Sequence, residues 1–187
     1  MRRRLSPLEG ALLGLLGQAP RSGYDLRKAF AETPLRTFSD SPGAVYPALA
    51  RLEDRGLLGL VAPEKASPRR RRALRLTRRG RAALLAWLRR PVRREDLVTG
   101  ADPAILRFAF LGEAKGPAAC LPFLRSYGDA LVAHLTELRR FRRTAAPAMS
   151  LSGLLALDSG IEGFRAEERW VARALRACAK EVERERS

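Results

Sequence analysis

Two cysteines, one histidine and two methionines are all that 187 residues contain of those types, and aromatic residues make up 6% of the chain. Cys120 and Cys178 stand far apart and match no metal or redox spacing, so a disulfide framework is not expected and a reducing cytoplasm is the expected compartment. A single histidine, His134, leaves a histidine-built metal site or a Ser-His-Asp triad almost nothing to draw on. It reads as a structural residue, and no metal, cofactor or catalytic group is expected. Also missing are a carboxylate pair, a nucleophile beside a base, and a phosphate-binding loop, which sets an enzyme a distant third among the functional readings. No segment is long and apolar enough to span a membrane. Arg2 to Arg4 and the apolar run to Leu16 imitate a signal sequence, but Glu9 interrupts the run.

Positive charge is abundant. Thirty-six Lys and Arg stand against 20 Asp and Glu, a formal net charge of +16 with a pI near 11.4, which points to a polyanionic partner. The excess is uneven: residues 1–94 hold 22 basic against 7 acidic side chains, residues 95–187 hold 14 against 13. The first half is built for an anion and the second is an ordinary amphipathic chain. With 46% hydrophobic residues there is ample material for a core.

Ser6-Pro7-Leu8-Glu9 is a capping box with Pro at the first helical position, and Leu8, Ala11, Leu12, Leu15 and Leu16 form the stripe behind it. Ser22-Gly23-Tyr24-Asp25 repeats the arrangement before a short second helix carrying Leu26, Ala29 and Phe30 inward, with Tyr24 and Lys28 outward. A third helix is expected from Ser41 to Gly56, burying Val45, Ala48, Leu49 and Leu52. Its other side is small or backbone-exposing at Ser41, Gly43, Ala44 and Pro47, with Tyr46 beside them and Arg51 and Arg55 beyond. Such a side suits either a DNA major groove or tight packing inside the protein.

Leu57 to Ala62 and Arg69 to Leu76 then read as a β-hairpin whose turn and second strand carry Lys65, Arg69, Arg70, Arg71 and Arg72, placed to contact phosphate or a minor groove. Thr77 caps a helix over Arg78 to Arg90. Three helices, a basic two-stranded wing and a following helix make a winged helix-turn-helix over residues 1–92. The charged stretch from Pro91 onward, with Gly100 and two prolines, reads as a linker at 93–103 before an α-helical domain at 104–187.

The order Ser22-Gly23-Tyr24-Asp25-Leu26, Val45-Tyr46-Pro47-Ala48-Leu49, Arg51-Leu52-Glu53, Gly56-Leu57, Leu76-Thr77 and Gly80-Arg81 resembles the PadR family of transcriptional regulators over residues 8–88. The chain departs from the family at Leu74, where an aromatic is common. The resemblance implies a cytoplasmic, homodimeric winged-helix repressor with its third helix in the major groove of double-stranded DNA. It also implies a small-molecule effector acting between head and C-terminal domain. On this reading Ser41, Gly43, Ala44 and Tyr46 are the groove contacts and Arg51 a base or phosphate contact. Tyr24, Lys28, Lys65 and Arg69 to Arg72 hold phosphate or minor groove.

In the second half, a short helix from Ala104 and a long one from Pro117 to about Arg143 are expected. A last helix carries Leu154, Leu157, Ile161, Phe164, Val171, Leu175, Cys178 and Val182 at alternating three and four spacing. That seam reads as a dimer interface; an antiparallel hairpin within one chain is the alternative. The competing function is a dimeric architectural protein that coats DNA without choosing an operator.

Overall fold

In a computed structural model, residues 4–32, 43–61, 72–98 and 103–187 are described, and the chain divides into two compact units, Met1–Arg89 and Arg90–Ser187. The first opens with a reciprocal cap: Glu9 N–H donates to Ser6 Oγ at 3.2 Å while Ser6 N–H donates to the Glu9 carboxylate at 3.0 Å. Helix α1 (Pro7–Gln18) is buried continuously from Glu9 to Leu16, so it is the central helix of the unit rather than one with a solvent face. Trp87 can lie on it because residue 10 is glycine: a Cβ there would stand 2.4 Å from the indole.

Ser22 ends the two-residue strand β1 (Arg21–Ser22) and caps α2 (Gly23–Glu32), exchanging hydrogen bonds with Asp25 in both directions. Helix α3 (Val45–Asp54) buries Val45, Ala48, Leu49 and Leu52. Its expected start at Ser41 lies outside the described residues; the helix begins at Val45, behind Ala44, which has no side-chain cap bond. Gly56 stops it in the left-handed region at φ 67°, and Leu57 N–H reaches back to Leu52 O at 2.9 Å.

Strands β2 (Leu58–Leu60) and β3 (Ala73–Leu76) pair antiparallel, Leu58 opposite Leu76 and Leu60 opposite Leu74. The sheet has three strands rather than two, because β1 pairs with the far side of β3, Arg21 opposite Leu74, giving the order β1-β3-β2. Leu74 is buried there, so an apolar aliphatic residue fills the place of the family's aromatic. Helix α4 (Arg78–Leu88) starts as expected at Thr77, whose Oγ1 accepts from Gly80 N–H at 3.0 Å.

In the second unit, part of the stretch read as a linker folds into α5 (Arg94–Val98). Asp96 holds its start, taking Arg93 N–H at 2.9 Å and the Arg90 guanidinium at 2.5 Å. Helix α6 (Pro103–Ala145) is two helical segments meeting at Gly116, where φ is 73° and ψ 178°, directly before Pro117. A 3-10 turn (Ala146–Ala148) leads to α7 (Leu151–Arg184), capped by Ser150.

Helix α7 runs back antiparallel along α6. Arg142 pairs with Asp158, His134 meets Phe164, and Tyr127 Oη donates to Glu167 at 2.9 Å. Ile161 and Val171 are buried with Phe123, Leu124, Tyr127, Leu131 and Leu135. The seam read as a dimer interface is therefore partly occupied within the chain. The physical reason is that α6 offers its own apolar heptad and the turn before α7 is short enough to bring the two together. The remaining seam residues Leu154, Leu157, Leu175, Cys178 and Val182 are half-buried. Arg165 pairs with Glu162 on the same helix.

Candidate nucleic-acid interface

The outward side of α3 is bare. Tyr46 is 51% exposed, Gly43, Pro47, Ala50 and Arg51 are exposed, and Ala44 is half-buried. Gly23 lies beneath the tyrosine: a Cβ at position 23 would stand 3.0 Å from Tyr46 Cε1, so the glycine at the start of α2 sets how closely that ring approaches the body of the unit. Tyr24 is also exposed, with the Arg27 guanidinium 5.4 Å from its ring centre. Lys28 reaches Glu32 at 3.9 Å, an exposed pair one turn apart that yields readily to a stronger anion. Arg72 leads into β3 and Arg75 follows on it, donating from Nε to Leu60 O at 3.3 Å. The other expected contacts, Ser41, Lys65, Arg69, Arg70 and Arg71, lie outside the described residues.

Sequence reading missed Glu9 beyond its cap. Its carboxylate is 3% exposed and accepts from Arg51 Nε at 3.4 Å and Arg55 Nη1 at 3.3 Å, as well as from Ser6 N–H. One buried acid on α1 thus holds two arginines at the end of α3, and fixes the direction of Arg51, expected to touch DNA. Both arginines are partly exposed and regain water when the pair is broken, which limits its worth. Glu9→Gln is expected to lower stability by about 1–2 kcal/mol in chemical denaturation. A loss within error would mean that the carboxylate does not secure α3.

His134 is buried, edge-on to Phe164 with ring centres 4.6 Å apart, and burial followed by the nearby Arg94 charge pushes its pKa down. It is a packed residue. Among the described residues no group of three or more His, Cys, Asp or Glu could hold a metal, and no helix is long and apolar enough to cross a membrane.

Residues 12–86 match the transcriptional regulator PadR-like family. The amino-terminal unit is a PadR-like domain. The matched span takes in α2, α3, the three strands and most of α1 and α4, so the exposed face of α3 lies within the match to that family of transcriptional regulators. Similar solved structures include the PadR-like transcriptional regulator BC1756 from Bacillus cereus, at 20% identity over 93% of this chain and 99% of that one, TM-score 0.41. Bacillus subtilis PadR in complex with operator DNA is 23% identical over 94% and 99%, TM-score 0.43. The same protein with p-coumaric acid is 23% identical over 96% and 99%, TM-score 0.41. No curated protein matches.

Within the PadR-like domain the family motifs have physical reasons. Ser22 and Asp25 cap each other, Gly23 makes room for Tyr46, and Gly56 supplies the left-handed residue that ends α3. Thr77 ties α4 to the start of the wing, its hydroxyl donating to Gly56 O at 2.8 Å.

Proposed function

We propose that the protein is a homodimeric repressor that reads a palindromic operator and releases it on binding a small-molecule effector. The observation that carries this reading is the exposed, small-residue side of α3 around Tyr46, on a unit whose 19 basic and 7 acidic side chains hold three quarters of the chain's excess positive charge. Gly43, Ala44 and Tyr46, with Ser41, meet base edges in the major groove, and Arg51 a base or phosphate. Tyr24, Lys28, Lys65 and Arg69 to Arg72 position the backbone. Two such heads on one dimer set half-sites about one helical turn, or a multiple, apart.

The dimer is built on the carboxy-terminal unit. Its seam residues Leu154, Leu157, Leu175 and Val182 remain half-covered, and Leu151 and Leu155 on the same helix are 75% and 59% exposed.

Fluorescence anisotropy against the protein's own upstream DNA, genome-selected fragments and a shuffled duplex tests the proposal. Binding to one natural fragment about a thousandfold tighter than to the shuffled duplex at physiological salt is expected. Equal affinity for all of them would leave an architectural protein that coats DNA.

A further inference from the structure

His134, Tyr127 and Cys120 lie seven residues apart in turn along α6, and Phe164, Val171 and Cys178 do the same along α7. Because the helices run antiparallel, a step of one heptad along one is matched by a heptad in the opposite direction on the other. The first layer is the His134 and Phe164 ring contact. One heptad on, Tyr127 Oη reaches Glu167, and a Cβ on Gly128 would lie 3.6 Å from Val171 Cγ1. The next layer sets Cys120 against Cys178, both reduced, with their thiols in side-chain contact.

We propose that Cys120 and Cys178 are a modifiable dithiol, and that oxidation by a small-molecule disulfide staples α6 to α7 within one chain. The two thiols differ in access. Cys120 is 1% exposed and burial, then Cys178, pushes it up to about 11, so at neutral pH it stays protonated; its sulfur also lies 3.7 Å from Gly116 O. Cys178 is half-buried, and although burial raises it too, the hydrogen bond from Cys120 works the other way.

Cys178 is therefore the entry point. Its thiolate attacks one sulfur of the reagent, forming a mixed disulfide and expelling a thiolate. Cys120 then loses its proton and attacks Cys178 sulfur, expelling the second thiolate and closing the cross-link. Two protein thiols and one reagent disulfide become one protein disulfide and two reagent thiols, so electrons and protons balance. The raised thiols make the step slow, and the pair reports prolonged rather than brief oxidation.

The full-length protein equilibrated with oxidised glutathione is expected to lose two hydrogens in intact mass and to show no free thiol after denaturation. It is expected to run as a single chain on a denaturing gel without reductant, and to melt about 10 °C or more higher because the closed loop is long. Cys120→Ala should stop with one glutathione on Cys178, Cys178→Ala should keep its one thiol, and neither should gain thermal stability under the same treatment. The proposal is overturned if both thiols stay free at equilibrium or if glutathione remains attached at Cys178. Chains cross-linked to one another through Cys178, unchanged by Cys120→Ala, would overturn it as well.

Discussion

Gly80→Ala is expected to cost the amino-terminal unit about 3 kcal/mol or more, a fall of roughly 12 °C or more in Tm. Helix propensity points the other way, since alanine in a helix is favoured over glycine by about 1 kcal/mol. Geometry decides the sign. A Cβ at position 80 would stand 2.0 Å from Leu57 O and 3.0 Å from Leu57 C, and both are backbone atoms that no rotamer can move. That carbonyl is also pinned, accepting Thr77 N–H at 3.0 Å and Thr77 Oγ1 at 3.2 Å, while Leu57 N–H is tied to Leu52 O. Relief requires the first turn of α4 to lift off the junction between α3 and β2, taking Thr77 and the wing with it. Gly160→Ala and Gly163→Ala in α7 are the controls, because nothing lies within 4 Å of either Cβ position. There the propensity term acts alone and stability should rise by about 0.5–1 kcal/mol. Thermal melts of the three variants read the contrast; a Gly80→Ala protein as stable as the controls would mean that α4 does not seat on Leu57.

The same junction shows what the sequence makes legible. Ser6 with Glu9, Ser22 with Asp25, and Thr77 with Gly80 are contacts across three residues, so their spacing is visible in the chain and the helices start where they stand. The break at Gly116-Pro117 is local in the same way. Strand β1 is too short for an alternation to appear, and its partner lies on β3, more than fifty residues on. Helix α5 hides in a charged stretch because Asp96 organises its start through Arg90 and Arg93 rather than through an apolar stripe. Glu9 looks like a cap alone until folding brings Arg51 and Arg55 to it from 42 and 46 residues away. The α7 seam illustrates a different limit: a heptad stripe demands a partner helix but does not say which chain supplies it. In the interface, residues named from the pattern of α3 have their exposure and neighbours on view at Gly43, Ala44, Tyr46 and Arg51, whereas the support beneath them from Gly23 and Glu9 is a product of tertiary packing.

Two sets of substitutions should separate sequence reading from phosphate binding by their salt dependence. Ala44→Trp with Tyr46→Trp places bulk on the side of α3 that is to enter the groove, where Tyr46 is half in solvent, so the fold should be spared. Operator affinity is expected to fall by about a hundredfold or more, toward the value for a shuffled duplex, while affinity for the shuffled duplex and its salt slope stay as they were. Replacing Arg69 to Arg72 with glutamine acts on the other term. Each phosphate contact contributes about 0.9 to the slope of log affinity against log salt, so loss of four flattens the slope by up to about 3.6. Extrapolated from high salt, that is a loss of two to three orders of magnitude near physiological ionic strength, on operator and shuffled DNA alike. The direction follows from counterions: fewer arginines release fewer ions, so salt has less binding to suppress. Anisotropy titrations of both variants at several salt concentrations make the comparison. If the wing variant kept its slope, the four arginines would not be phosphate contacts. If the α3 variant lost affinity for both duplexes equally, the bare side of the helix would be a general DNA-docking surface, and the PadR-like domain would draw its specificity from elsewhere.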